Sequence, residues 1–63
     1  MPFVDIKMWK GKTDKQKKAM IREVTKAISK TCDCPVEKIQ IAITEYEPKH
    51  WGKAGVPGDE ISK

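Results

Sequence analysis

Lys38-Ile39-Gln40-Ile41-Ala42-Ile43-Thr44-Glu45-Tyr46 is the stretch that decides the fold. Ile39, Ile41 and Ile43 alternate with Gln40, Ala42 and Thr44, a period of two that puts β-branched residues on one face of a strand. The same rhythm occurs near the start of the chain, where Val4, Ile6 and Met8 alternate with Phe3, Asp5, Lys7 and Trp9 up to Gly11. Between these strands the period changes. Met20, Ile21, Val24, Ala27 and Ile28 recur at helical spacing, with Lys15, Lys18, Arg22, Glu23, Lys26 and Lys30 at the other positions. Thr13 and Gln16 have the spacing of a capping box, and Pro35 ends the periodic run, so the helix is expected from about Asp14 to Thr31, roughly 27 Å long.

Strand, helix and strand in this order make one right-handed β-α-β unit with parallel strands, of the α+β class. Val36-Glu37-Lys38 is read as a short connection. Beyond Pro48, Gly52, Gly55, Pro57 and Gly58 predict a C-terminal loop or irregular hairpin. The 63 residues are one domain, residues 1–63. A chain of this size buries only about 60% of its unfolded surface. One helix covers one face of a two-stranded sheet, which leaves the second face and both edges open, so the unit is expected to be completed by oligomerisation.

Composition excludes several classes of function. With 38% hydrophobic and 35% charged residues the chain is neither a disordered tail nor a membrane span. No basic segment followed by an apolar run opens it, so a cytoplasmic location is expected. Thirteen basic residues against nine acidic ones give a net charge of +4. The lysines are interspersed with acids along the sequence, which favours attraction of small anions over binding of nucleic acid. Cys32 and Cys34 are one residue apart, unlike zinc-binding cysteine pairs, and His50 is the single histidine, so no metal site is expected. Nucleotide-binding, serine-hydrolase and zinc-protease motifs do not occur.

Four places remain where chemistry can reside. Pro2 suits the start of a strand, where its missing N–H costs nothing. If Met1 is removed it becomes a free secondary amine, a base. If Met1 stays, its nitrogen is a tertiary amide with no basicity. Lys12 precedes the helix and Gln40 lies on the second strand; each is able to hold a carboxylate or carbonyl of a small acid, and Lys12 equally suits a solvated position. His50-Trp51-Gly52 is an aromatic cluster suited to a pocket wall or to packing on another subunit.

Taken together, Met1-Pro2 before an alternating strand, Gly11-Lys12-Thr13-Asp14 with Gln16-Lys17, Ile21-Arg22-Glu23-Val24-Thr25 with Ala27-Ile28, then Pro35, Ile43-Thr44-Glu45 and His50-Trp51-Gly52, resemble the 4-oxalocrotonate tautomerases from Pro2 to about Gly55. The resemblance implies a β-α-β subunit in a hexamer, a trimer of dimers, whose pockets draw on more than one subunit. It implies an amino-terminal proline as general base, small enol or keto acids as substrates, and no cofactor. By position Pro2 matches the catalytic proline. Lys12 falls where an arginine usually engages the substrate carboxylate, and Gln40 where a second arginine polarises the 2-keto or hydroxy end. Trp51 falls where an aromatic residue, usually phenylalanine, walls the site, and Trp9 where a hydrophobic pocket residue, often leucine, is found. Both arginines are thus replaced.

The function expected is keto-enol proton transfer on small 2-keto or 2-hydroxy-dienoic acids. The alternatives are a non-catalytic oligomeric module that binds small acids or a protein, with Pro2 blocked by Met1, and hydratase or dehalogenase chemistry. The latter needs an acid to activate water beside substrate-holding arginines, and neither position carries arginine.

Overall fold

A computed structural model describes residues 2–61 of the chain. Strand β1 (Phe3–Trp9) leads to helix α1 (Asp14–Cys32), which returns the chain to strand β2 (Gln40–Tyr46). β1 and β2 are parallel and in register from Phe3 beside Gln40 to Trp9 beside Tyr46. A two-residue antiparallel hairpin follows, β3 (Gly52–Lys53) with β4 (Val56–Pro57). This is the expected β-α-β unit with a C-terminal hairpin.

Both helix ends are set by local sequence. Thr13 Oγ1 accepts the Gln16 N–H at 3.1 Å while Gln16 Oε1 accepts the Thr13 N–H at 2.9 Å, so two amides at the first turn are satisfied reciprocally. At the other end Asp33 turns left-handed at φ 52°, the Cys34 N–H bonds the Ser29 carbonyl at 3.2 Å, and Ser29 Oγ donates to the Cys34 carbonyl at 2.6 Å. The helix therefore reaches Cys32, one residue beyond Thr31.

β2 starts two residues later than the alternation suggests. Pro35 opens a single 3-10 turn, Val36–Lys38, in which the Lys38 N–H bonds the Pro35 carbonyl and the Ile39 N–H bonds the Val36 carbonyl. Those amides are then spent on the turn, and the ladder begins at Gln40.

Val4, Ile6 and Met8 are half-buried on one face of β1, and their register partners Ile41 and Ile43 share that face. α1 packs on β2, with Lys17, Met20, Val24 and Ile28 half-buried and Ile21 and Ala27 exposed. Among the described residues only Gly58 is fully buried, and no hydrophobic side chain is. The radius of gyration is 14.7 Å, against about 11 Å for a compact domain of this length. The accessible surface is 5088 Å², where a compact monomer of this mass exposes about 4,100 Å². Phe3 on the helix-free sheet face is 63% exposed and Val36 53%. A single chain thus buries no core of its own, and its apolar residues stand at open faces and edges.

Candidate active site

Parallel pairing places both strand N-termini at one end of the sheet and both C-termini at the other. Pro2 directly precedes β1, and its carbonyl accepts the backbone N–H of Gln40 at 3.1 Å. Two of the expected site residues are thereby brought together through their backbones, and Pro2 is half-buried. Met1, on whose removal the basicity of Pro2 depends, lies outside the described residues.

Trp9, Lys12 and Trp51 gather at the opposite end. Six residues of β1 separate Trp9 from Phe3, about 20 Å at a strand's rise per residue. Trp9 is the register partner of Tyr46, and the Tyr46 and Trp51 rings meet edge to face with centroids 5.3 Å apart. Trp9, Tyr46 and Trp51 form an aromatic wall on the helix-free side of the sheet end. Lys12 sits exposed in the link between β1 and α1, after Gly11 at φ 135°, a backbone position that suits glycine. Lys12 has no acidic partner among the described residues.

Two neighbouring lysines at this end are committed to carboxylates, whereas Lys49 and Lys53, on either side of Trp51, have no acidic partner among the described residues. Lys10 Nζ donates to Glu47 Oε2 at 2.9 Å, which ties the end of β1 to the 3-10 turn Pro48–His50 that delivers Trp51. This contact holds the Glu47 carboxyl below its ordinary value and the Lys10 ammonium above its own. Lys17 reaches back from the first turns of α1 to Glu45 at 3.0 Å and Asp14 at 3.4 Å, and the hydrogen bond to Glu45 raises its pKa. On the open sheet face Lys7 pairs with Asp5 at 2.8 Å, and Thr44 Oγ1 donates to the same carboxylate at 3.3 Å. Lys12 thus shares with Lys49 and Lys53 an ammonium group that no carboxylate among the described residues engages.

Gly58 closes the arrangement. A Cβ placed there would stand 2.8 Å from Trp9 Cζ2 and would overlap the Pro48 carbonyl oxygen, so the segment after β4 rests directly on the wall. Among the described residues no three of His, Cys, Asp and Glu lie close enough to hold a metal ion. No described helix is long and apolar enough to cross a membrane.

Tyr46, Gly58 and the Lys10–Glu47 tether are the parts of this site that sequence reasoning misses. The pairing of Trp9 with Tyr46 is the signal for the first, once the strands are set in register. The other two depend on contacts across the fold and leave no mark in local pattern.

Residues 2–60 match the profile of the family described as tautomerase enzyme. The chain belongs to the tautomerase family. It is 35% identical over all 63 residues to a 2-hydroxymuconate tautomerase of Pseudomonas putida, with both chains fully covered. A solved structure of the 4-oxalocrotonate tautomerase isozymes from Methylibium petroleiphilum superposes with a TM-score of 0.90 at 31% identity, covering 98% of this chain and all of the other. A heterohexamer 4-oxalocrotonate tautomerase from Chloroflexus aurantiacus gives 0.91 at 27% identity, covering 98% of this chain and all of that one. Length, fold and family agree, and the chain is an isomerase of the tautomerase kind.

Proposed function

We propose that this member of the tautomerase family catalyses a cofactor-independent 1,3- or 1,5-proton shift on small 2-keto or 2-hydroxy-dienoic acids, with Pro2 as the base after removal of Met1. The observation that carries the reading is the division of the site between the two ends of one chain. Pro2 and Gln40 are joined through their backbones at one end, while the exposed Lys12 and the Trp9–Tyr46–Trp51 wall stand about 20 Å away at the other. One chain cannot close this site over a small acid. A second copy can, by laying its aromatic end over the Pro2 end of the first, and the exposed Phe3 and the missing core call for the same partner. The assembly proposed is a homohexamer, a trimer of dimers. Its support is the open surface of the single chain and the heterohexamer named for the Chloroflexus relative.

In the mechanism, Pro2 as a neutral amine takes the proton of an enol hydroxyl, or of the carbon beside a carbonyl, and the resulting ammonium returns it further along the conjugated system. No electrons leave the substrate and the base is regenerated. An α-amine ordinarily titrates near 7.7–8.0, so the amine must be held neutral near pH 7. Apolar cover from tryptophan rings and a nearby ammonium group from Lys12 both act in that direction. Lys12 attracts the substrate carboxylate as a point charge, and Gln40 offers the enolate oxygen a neutral donor. The reading places the reaction in the cytoplasm, where Cys32 and Cys34 would stay as the thiols they are in this fold.

Replacing Pro2 tests the role directly. Pro2→Ala keeps an amine but frees it from the ring, so binding should persist while the rate on an enolisable 2-keto acid such as phenylpyruvate falls well below wild type. A rate equal to wild type would refute Pro2 as the base.

A further inference from the structure

We infer that Gly58 is a positioning residue for the acid site, a keystone whose missing side chain lets the C-terminal segment hold the Trp9 ring and the Pro48 turn in one fixed arrangement. The inference rests on the reading that Trp9 and Trp51 wall that site.

The geometry is specific to this residue. Cβ atoms at Gly11 and Gly55 would meet nothing within 4 Å, and one at Gly52 would make ordinary contact with the Val56 carbonyl at 3.8 Å. At Gly58 alone a Cβ would collide on two sides, with the backbone carbonyl of Pro48 and with Trp9 Cζ2 at 2.8 Å. Gly58 has no left-handed φ, so backbone conformation does not require glycine there. Space requires it. Gly58 is also the one fully buried residue among those described.

Each neighbour leads to the wall. Pro48 opens the 3-10 turn whose next residue out is Trp51, and the Trp51 N–H bonds the Pro48 carbonyl at 3.1 Å. Trp9 is paired with Tyr46, which carries the edge of Trp51. Pushing on Pro48 therefore moves Trp51, and pushing on Trp9 moves the ring beside Tyr46. Gly58 is held from its far side by the 3-10 turn Gly58–Glu60, closed by the Ile61 N–H on the Gly58 carbonyl at 3.2 Å. A large ring at position 9 and no side chain at position 58 thus form a matched pair, and the pair fixes how much room a bound acid has.

The test is a cycle of four proteins, wild type, Gly58→Ala, Trp9→Leu and the double variant, each assayed with phenylpyruvate and followed by tryptophan emission. Gly58→Ala should raise KM about three- to tenfold with kcat within about twofold and shift the emission, as expected when a wall moves and the base does not. In the Trp9→Leu background, where the ring collision is gone, the same change should raise KM less. If Gly58→Ala alone fails to assemble, the double variant shows which neighbour forbids the side chain: recovery assigns the collision to the Trp9 ring, and continued failure assigns it to the Pro48 carbonyl and refutes the pairing with Trp9. Equal KM ratios in the two backgrounds would overturn the inference as well. A Trp9→Leu protein with unchanged KM would instead sink the wall reading itself, whereas a raised KM in Trp9→Leu beside an unmoved Gly58→Ala would sink the role of Gly58 alone.

Discussion

The backbone N–H of Gln40 bonds the carbonyl of Pro2 at 3.1 Å, so a neutral amide side chain starts on the strand beside the proposed base. The resemblance to 4-oxalocrotonate tautomerases implies an arginine at that place. Replacing a guanidinium by a carboxamide removes the charge-assisted contact that a second carboxylate or a developing enolate would use.

Selectivity between acids follows from this. Wild type should favour monoacids over diacids, and Gln40→Arg should raise kcat/KM for a 2-hydroxy-dienoic diacid by about 10- to 160-fold, the equivalent of a charged hydrogen bond of about 1.5–3 kcal/mol. Steady-state kinetics on one monoacid and one diacid checks it. Unchanged selectivity would mean that the residue 40 side chain points away from the site.

Lys12 is expected to act through charge alone. Lys12→Ala should raise KM for anionic substrates severalfold and leave a neutral enol nearly unaffected, because only the anion makes the contact. The effect should shrink as salt rises from 0.05 to about 0.5 M, since an exposed charge is screened over a shorter distance. An equal KM increase for the neutral enol would assign Lys12 a packing role.

The strands, the helix and its capping box were legible because alternation, 3.6-residue spacing and Thr13–Gln16 are local signals. The displaced start of β2 was not, because the amides of Lys38 and Ile39 bond back into the Pro35 turn, a choice that alternation does not reveal. In the hairpin, Ala54 at φ 53° and Gly55 at φ 80° give the two left-handed central residues that a two-residue turn prefers. Only one of them is glycine, so the turn showed in the sequence as a general Gly and Pro richness. For the site, Pro2, Gln40, Trp9, Lys12 and Trp51 were nameable from the resemblance, but their separation into two ends becomes visible only with the Phe3–Gln40 register. Lys10 and Glu47 lie 37 residues apart in sequence, beyond the reach of any periodicity argument.

The Lys10–Glu47 tether gives a pH dependence with a defined sign. The folded Glu47 carboxyl titrates below its ordinary value of 4.5 because Lys10 donates to its charged form. Its stabilisation is therefore present above about pH 4.5 and is lost as pH falls through the lowered value. Lys10 is raised above 10.5 by the same bond, so its share is present below that value and lost as pH climbs through the raised one. Thermal melts of wild type and Glu47→Gln should accordingly differ most near neutrality and converge in acid. A gap that does not narrow at all as the pH falls below 4.5 would show that the carboxylate charge is not what holds the turn.

Assembly is open to sedimentation. Since the lone chain has no buried hydrophobic side chain among the described residues, the protein should travel as six copies of the 7.2 kDa chain at micromolar concentration. Phe3→Asp, on the open sheet face, should weaken that assembly and the activity together. A folded, active monomer would contradict the shared-site account.

The most direct test of the central claim compares two proteins whose N-termini are verified by intact mass, one beginning at Pro2 and one carrying a single uncleaved residue before it. With Pro2 free, turnover of phenylpyruvate should be measurable and should rise with pH as the amine loses its proton. With the extension, which turns the proline nitrogen into an amide, turnover should vanish while the assembly stays intact. Equal kcat/KM in the two proteins would contradict amine catalysis by Pro2.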